Sequence, residues 1–453
     1  MKQIIFILFS VLITVGSLSA QNENWEKYVP IIKTHIYNDY KGMFKEEGGA
    51  LKHPYITPGS DQYSDVLWDW DSWLTNVAVR QILIDKGNAK EKKEALKYEQ
   101  GCVLNYLEYG GMDGWIPYII NRKSPARYEW LQDKDEKTGG PFETNMHKPC
   151  LAQHAAFLVQ QDGEVEWLRE KFYFLQAFVN AYMNHLTHKP TGLAFWANDQ
   201  GIGVDNDPST YYRPDKSSGN IYLNAMLYKE IEAMVFLAGK LNLSEIAVAY
   251  QKDADRLKVN IQEHCWDERD GCYYSVDLNL SDYHRPEKYW SLHIGAPRNW
   301  DCLIQRIDGW SGFMALWAGI ATEEQAERIV KEHYQDSTRF NCPYGIRTLS
   351  PLEKMYNVKA TGNPSSWLGP IWGVSNYLVF QGLLKYGYET EAREMAIETV
   401  LLFGKDYERN GALHEYYMPE NGEPVLNKGF QNWNYLVLNM IAYLEGTERI
   451  VEF

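Results

Sequence analysis

Two acids lie in loop-like segments whose neighbours are unusual for loops. Gly203-Val204-Asp205-Asn206-Asp207-Pro208 carries Asp205, with Phe195-Trp196-Ala197-Asn198-Asp199 before it and Arg213 after it. Leu413-His414-Glu415-Tyr416-Tyr417-Met418-Pro419 carries Glu415. Taken singly, each has a plain reading. Asp-Asn-Asp-Pro is a good turn sequence, because such side chains bond their own backbone, and Glu415 reads as an exposed loop acid. A Glu between His and two Tyr can instead occupy a desolvated, hydrogen-bonded setting that tunes its pKa. A proton-holding carboxyl opposite an ionised one is the pair that cleaves a glycosidic bond. One gives a proton to the leaving oxygen; the other activates water or attacks the carbon.

Other segments suit a sugar. Leu67-Trp68-Asp69-Trp70-Asp71-Ser72-Trp73 interleaves three Trp with two Asp. Trp offers a flat apolar face, matching the C–H faces of a pyranose, and carboxylates accept hydroxyl protons. Core packing would account for Trp68 and Trp70 but not for Asp69 and Asp71 between them. Ser366-Trp367-Leu368-Gly369-Pro370-Ile371-Trp372 places Gly and Pro between two Trp; its plainer reading is a Pro-initiated helix with Trp367 and Trp372 as packing. Gln431-Asn432-Trp433-Asn434 reads most simply as a helix cap. The chain holds 16 Trp and 32 Tyr, a high share that suits a sugar site and helix packing alike.

The elements that must position these residues are helices. Apolar positions at three- and four-residue spacing predict twelve, over 25–36, 73–85, 91–109, 151–161, 164–186, 220–241, 244–264, 310–319, 322–333, 372–386, 389–404 and 433–444. Thr322-Glu323-Glu324 is a helix start with acids in its first turn. Only short Tyr-rich pieces such as 272–278 read as strand. The joints at 110–117, 201–208, 341–351, 361–370 and 410–428 are rich in Trp, Asp, Glu, Tyr and Gly, as site-bearing loops are. No linker-like tract interrupts the rhythm. One all-α domain over 21–453 is expected, with paired helices wrapped into a ring.

Residues 1–20 read as a cleaved export signal, with Lys2 ahead of an apolar run and the cut near Ser19 or Ala20. No later stretch has the length of a membrane span. The expected location is periplasmic or secreted. A net charge of −15 argues against nucleic acid or an anionic membrane as partner. Six cysteines permit disulfides, although buried thiols suit a chain with so large a core. Asp267-Glu268-Arg269-Asp270-Gly271 lacks the calcium-loop pattern and reads as a turn. No metal or other cofactor is expected.

Together these segments resemble glycoside hydrolase family 63 and its relatives, a clan that includes the trehalases. Trp70-Asp71-Ser72 matches the clan's sugar-binding Trp-Asp-Ser/Thr. Gly201-Ile202-Gly203-Val204-Asp205-Asn206 matches the turn of its general acid, with Ile202 where Ser is usual. Asn220-Ile221-Tyr222-Leu223-Asn224-Ala225 matches a downstream helix start. The segment from Trp367 to Leu378 matches Trp-x-Gly-Pro-x-Trp…Asn-Tyr-Leu, and Glu415, Tyr417, Pro419 and Gly422 match the loop of the base. The resemblance implies an (α/α)6 barrel and an inverting α-glycosidase acting on an α-linked sugar. It implies Asp205 as acid, Glu415 as base, and Trp70 and Asp71 in the cleaved sugar's subsite; with the segments read for themselves, the candidates around the substrate are Trp68, Asp69, Trp70, Asp71, Arg213, Trp367, Trp372 and Trp433. Asp207 and Asp199 are the competitors for the acid. An α-glucoside is the preferred substrate; an α-mannoside such as mannosylglycerate is the alternative, and a glycan-binding protein without catalysis is the reading from another class. A lyase fits poorly, since Arg213, Arg298 and Arg347 are scattered.

Overall fold

The computed structural model describes residues 24–59, 63–123, 141–280, 300–359 and 365–453. The apolar leader and Arg298 lie outside them.

Twelve α-helices are present among the described residues: α1 (Val29–Asp39), α2 (Asp69–Asp85), α3 (Ala89–Leu107), α4 (Leu151–Asp162), α5 (Phe172–His185), α6 (Ile221–Lys240), α7 (Ser244–Cys265), α8 (Met314–Trp317), α9 (Glu323–Arg328), α10 (Gly373–Lys385), α11 (Glu389–Asn410) and α12 (Val437–Glu445). The even-numbered helices pack in succession, α2 on α4, α4 on α6, α6 on α8, α8 on α10 and α10 on α12, and α12 returns to α2. They form a closed inner ring. The odd-numbered helices lie outside it, as α3 on α2, α7 on α6 and α11 on α10 illustrate. This is an (α/α)6 barrel.

Burial separates the two rings. Fifteen of the seventeen residues of α2 are buried, against five of the twenty-two of α7. An inner helix is covered on every side and an outer helix on one stripe, so the outer helices carry the amphipathic pattern. The predicted helix over 310–319 shrinks to a 3-10 turn, Trp310–Phe313, and the single turn of α8. Thr322 and Gln325 form a complete capping box at α9.

Short ladders bridge the ring at one end. β1 (Val66–Trp68) runs into α2 and pairs antiparallel with β2 (Ile119–Asn121). β3 (Ser218–Gly219) precedes α6 and is the edge of a three-stranded sheet, with β4 (Val276–Asp277) central and β5 (Leu303–Ile304) beyond it. β6 (Ile371–Trp372) runs into α10 and pairs antiparallel with β7 (Tyr416–Tyr417), setting Trp372 opposite Tyr416. The Trp367 segment therefore opens a strand, and its proline precedes that strand rather than starting the helix.

All six cysteines are free, and five are buried. In the turn at 267–271, Asp267 and Asp270 are ion-paired with Arg306 and Arg269.

Candidate active site

A cavity of about 400 Å3 opens where inner helices begin. Its lining includes Trp68, Trp70 and Asp71 from β1 and the first turn of α2, Lys148 just before α4, Trp372 just before α10, and Trp433 just before α12. Glu415 enters through the β6–β7 ladder: because Tyr416 pairs with Trp372, the residue before it lands beside α10. Asp205 enters on the turn between α5 and α6. Thus Asp205, Glu415, Asp71, Trp68, Trp70, Trp372 and Trp433 meet in one cavity although they lie far apart in the chain.

The floor is aromatic. Trp70 packs on Trp433 with ring centroids 5.1 Å apart and on Tyr222 at 5.7 Å. Trp367 stacks on Trp372 at 4.3 Å and touches Trp310 at 5.6 Å, so it braces the wall from behind instead of lining it. Trp68 stacks on Tyr118 at 5.9 Å.

The acid turn is built from residues that tolerate left-handed backbone. Gly201, Gly203 and Asn206 have φ of 70°, 87° and 54°. Gly203 is also a close approach: a Cβ there would lie 2.5 Å from Lys148 Cε and 3.0 Å from the Trp70 ring. Asn206 Oδ1 accepts the amide of Trp367 at 3.0 Å, tying the turn to the braced wall. Ile202, where the resemblance leads one to expect Ser, is fully buried in the core.

The same geometry separates the three acids of this stretch. Asp207 Oδ1 accepts from the amide and hydroxyl of Ser209, both at 2.9 Å, and its Oδ2 accepts from Asn220 at 3.0 Å. Its carboxylate is occupied inside the turn. Asp205 and Asp199 both face the cavity. Burial raises the Asp205 pKa, a hydrogen bond from Ser365 and the charge of Lys148 oppose that rise, and Asp199 adds to it.

Glu415 is 4% exposed. Tyr63 donates to its Oε1 at 3.3 Å, and Asn427, with φ of 51°, donates to its Oε2. Burial pushes its pKa up to about 7; the two donors pull it down, while Asp71 and Asp205 push it up. The partners are not those its sequence neighbours suggest. His414 turns away to Asp406, which also accepts from Tyr417 at 2.8 Å, and Tyr416 stacks on Trp372. Those residues fix the loop, and Glu415 alone is presented.

Asp71 is held by Asn432 across 361 residues of sequence. Burial pushes its pKa up to about 7, against the Asn432 hydrogen bond and the Lys148 charge. Asn432 is not the cap residue of its turn: its left-handed backbone, φ 48°, is held by Pro58, its Nδ2 donates to Asp71, and its Oδ1 accepts from Thr75 at 3.2 Å and from the Trp433 amide at 2.6 Å.

Three of the residues expected around a substrate do not line the cavity: Trp367, behind its wall, and Asp69 and Arg213. Asp69 is 1% exposed and receives Lys148 Nζ at 2.7 Å and the Lys148 amide at 2.8 Å. It neutralises a buried lysine instead of binding hydroxyls, as burial of a charge demands. Arg213 pairs with Asp277 of β4 and does not line the cavity. Conversely, Tyr63, Tyr118, Lys148, Gln200, Tyr211 and Ser365 line it without having been singled out. The loops at 110–117 and 410–428 were marked by composition, which points near Tyr118 and to Asn427. Nothing local marks Lys148.

Among the described residues, no group of His, Cys, Asp and Glu is arranged to hold a metal ion.

Three comparisons bear on this cavity. Residues 64–434 match the model of the mannosylglycerate hydrolase MGH1-like glycoside hydrolase domain. Mannosylglycerate hydrolase MGH1 of Selaginella moellendorffii is 29% identical over 418 residues, covering 81% of this chain and 78% of that protein. The cytosolic neutral trehalase of Kluyveromyces lactis is 26% identical over 253 residues, 53% of this chain, and the match spans only 30% of the trehalase. The solved structure of a family 63 mannosylglycerate hydrolase from Thermus thermophilus, in complex with Tris and D-glycerate, superposes with a TM-score of 0.63 at 19% identity, covering 90% of this chain and 99% of that one.

Proposed function

The chain belongs to the mannosylglycerate hydrolase MGH1-like glycoside hydrolase family, and from that premise we propose that it is an inverting α-glycosidase in which Asp205 is the general acid and Glu415 the general base. One observation carries the assignment: Asp205 and Glu415 face a single sugar-sized cavity with a tryptophan floor, and Asp207 does not.

The reaction is a single displacement. Glu415 takes a proton from water as the water oxygen bonds to the anomeric carbon. The bond from that carbon to the leaving oxygen breaks, and Asp205 protonates that oxygen. The glycone leaves with inverted configuration and the aglycone as a free alcohol. Donation from Tyr63 and Asn427 favours the ionised Glu415 that this requires. Asp71, held by Asn432, accepts glycone hydroxyls, and Trp70 and Trp433 supply the apolar face beneath the ring.

The substrate is an α-glucoside or α-mannoside. The family and the trehalase-like relatives support the α linkage, and nothing in the cavity selects between the two at C2. Aryl α-glucosides and α-mannosides, followed by NMR of the freshly released sugar, test the reading. Initial β-anomer from an α-substrate is expected; initial α-anomer, or no hydrolysis of either series, overturns it. The leader at 1–20 supports export to the periplasm or medium. Mass spectrometry of the cell-fractionated protein should find a new N-terminus near residue 20, and an intact leader in the cytoplasmic fraction would refute it.

A further inference from the structure

Beyond the acid, the same turn presents an aromatic pair to solvent. Tyr211 lines the cavity, and Tyr212 stands next to it with ring centroids 4.0 Å apart. Tyr212 is 85% exposed, yet its φ is 61°. A bulky residue in left-handed backbone is an outlier that persists only where its surroundings hold it. Core packing does not hold it here, because the ring is in solvent.

The pair is fixed on both sides. The Asp207 carbonyl accepts the amides of Thr210 at 2.9 Å and Tyr211 at 2.7 Å. Beyond Tyr212, Arg213 is clamped to Asp277 in the centre of the three-stranded sheet. The rings are therefore rigidly coupled to the segment that carries Asp205. A general acid stands by the leaving oxygen, so what continues outward from Asp205 is the aglycone side of the cavity.

We infer that Tyr211 and Tyr212 form an aglycone-side platform on which a further pyranose of an α-linked oligosaccharide stacks. The inference rests on the assignment of Asp205 as acid. Its consequence is a preference for longer sugars over a small acyclic aglycone. A tyrosine ring gives a flat apolar face at low entropic cost, and an exposed, pre-fixed ring binds without paying for its own ordering.

The test compares an aryl α-glycoside, an α-linked disaccharide and the matching trisaccharide, in the gluco and manno series, by hydrolysis and by calorimetric titration. Wild type should favour the trisaccharide. Tyr212→Ala should raise its KM about tenfold, equivalent to about 1.4 kcal/mol, with kcat and aryl glycoside hydrolysis unchanged. Tyr212→Phe should retain the preference. Tyr212→Gly, which also relieves the backbone, should lose it while melting no lower than wild type. Equal treatment of disaccharide and trisaccharide by wild type, in both hydrolysis and titration, overturns the platform, as does a Tyr212→Ala variant that keeps the preference. Trisaccharide binding that depends on Tyr212 without any hydrolysis would leave the platform standing and sink the catalytic reading.

Discussion

Asp205 sits in a turn made of left-handed residues, and Glu415 sits at the edge of a two-stranded ladder. The two reach one cavity by different means. The turn is shaped by short-range bonds and by close contact of Gly203 with Lys148 and Trp70. Its carboxyl, on Asp205, is half-buried and faces the cavity. The ladder sets Glu415 beside Trp372, buries it, and surrounds it with two donors, Asn427 from its own loop and Tyr63 from a distant part of the chain. Glu415 has both donors in place in the free protein, whereas Asp205 keeps a face open to the cavity.

The largest test of that contrast is chemical. Asp205→Asn and Glu415→Gln should each lower kcat on an unactivated α-glycoside by about 10^3-fold or more. With a good aryl leaving group, which departs without protonation, Asp205→Asn should recover most of the loss and Glu415→Gln should not. Equal recovery in both would erase the distinction between the two carboxyls.

Next is stability. The folded pKa of Glu415 lies above its ordinary value, so its contribution is fully present below pH 4.5 and is lost as pH rises through about 7. Removing the charge should therefore help only at high pH. Glu415→Gln is expected to stabilise the protein by on the order of 3 kcal/mol at pH 8, with no gain at pH 4, measured by denaturant unfolding at the two values. A gain of the same size at both would show that burial of the charge is not the cause.

Asp207→Asn separates the turn's two acids. It should cost about 1–2 kcal/mol of stability through the Ser209 and Asn220 bonds and leave kcat within about threefold. A catalytic collapse in a folded Asp207→Asn protein would move the acid role there. The smallest effect is on the pH profile. The acidic limb of kcat/KM should fall as pH drops below about 7, where Glu415 takes a proton. Asn427→Ala, which removes a donor to the carboxylate, should shift that limb to higher pH; a shift to lower pH would contradict the hydrogen-bond argument.

Helix periodicity carried most of the fold. The ranges around 73–85, 151–161, 244–264 and 389–404 correspond to α2, α4, α7 and α11, because a helix that buries a face must repeat apolar residues at its own pitch. The stretch at 310–319 was less legible: a single turn between aromatic neighbours shows the same spacing as a longer helix. A ring was the simplest architecture for paired helices, but its (α/α)6 topology is invisible in periodicity and came from the family resemblance.

The site divides along the same line. Sequence alone determined which residue types were available: Trp and Asp interleaved at 68–71, a turn rich in Gly and Asp, and a Glu among aromatics. It could rank Asp205 and Glu415 only through the resemblance. Tertiary structure decided what each carboxyl meets. Lys148 neutralises Asp69 from 79 residues away, Asn432 holds Asp71 across 361, and Tyr63 reaches Glu415 across 352. It also consigned Asp207 to its own turn, Arg213 to Asp277, and Trp367 to the rear of the wall. Backbone periodicity is a local property written into neighbouring residues. The protonation and accessibility of a carboxyl depend on the charges, donors and burial around it, and in a closed ring of helices those come from wherever the chain returns.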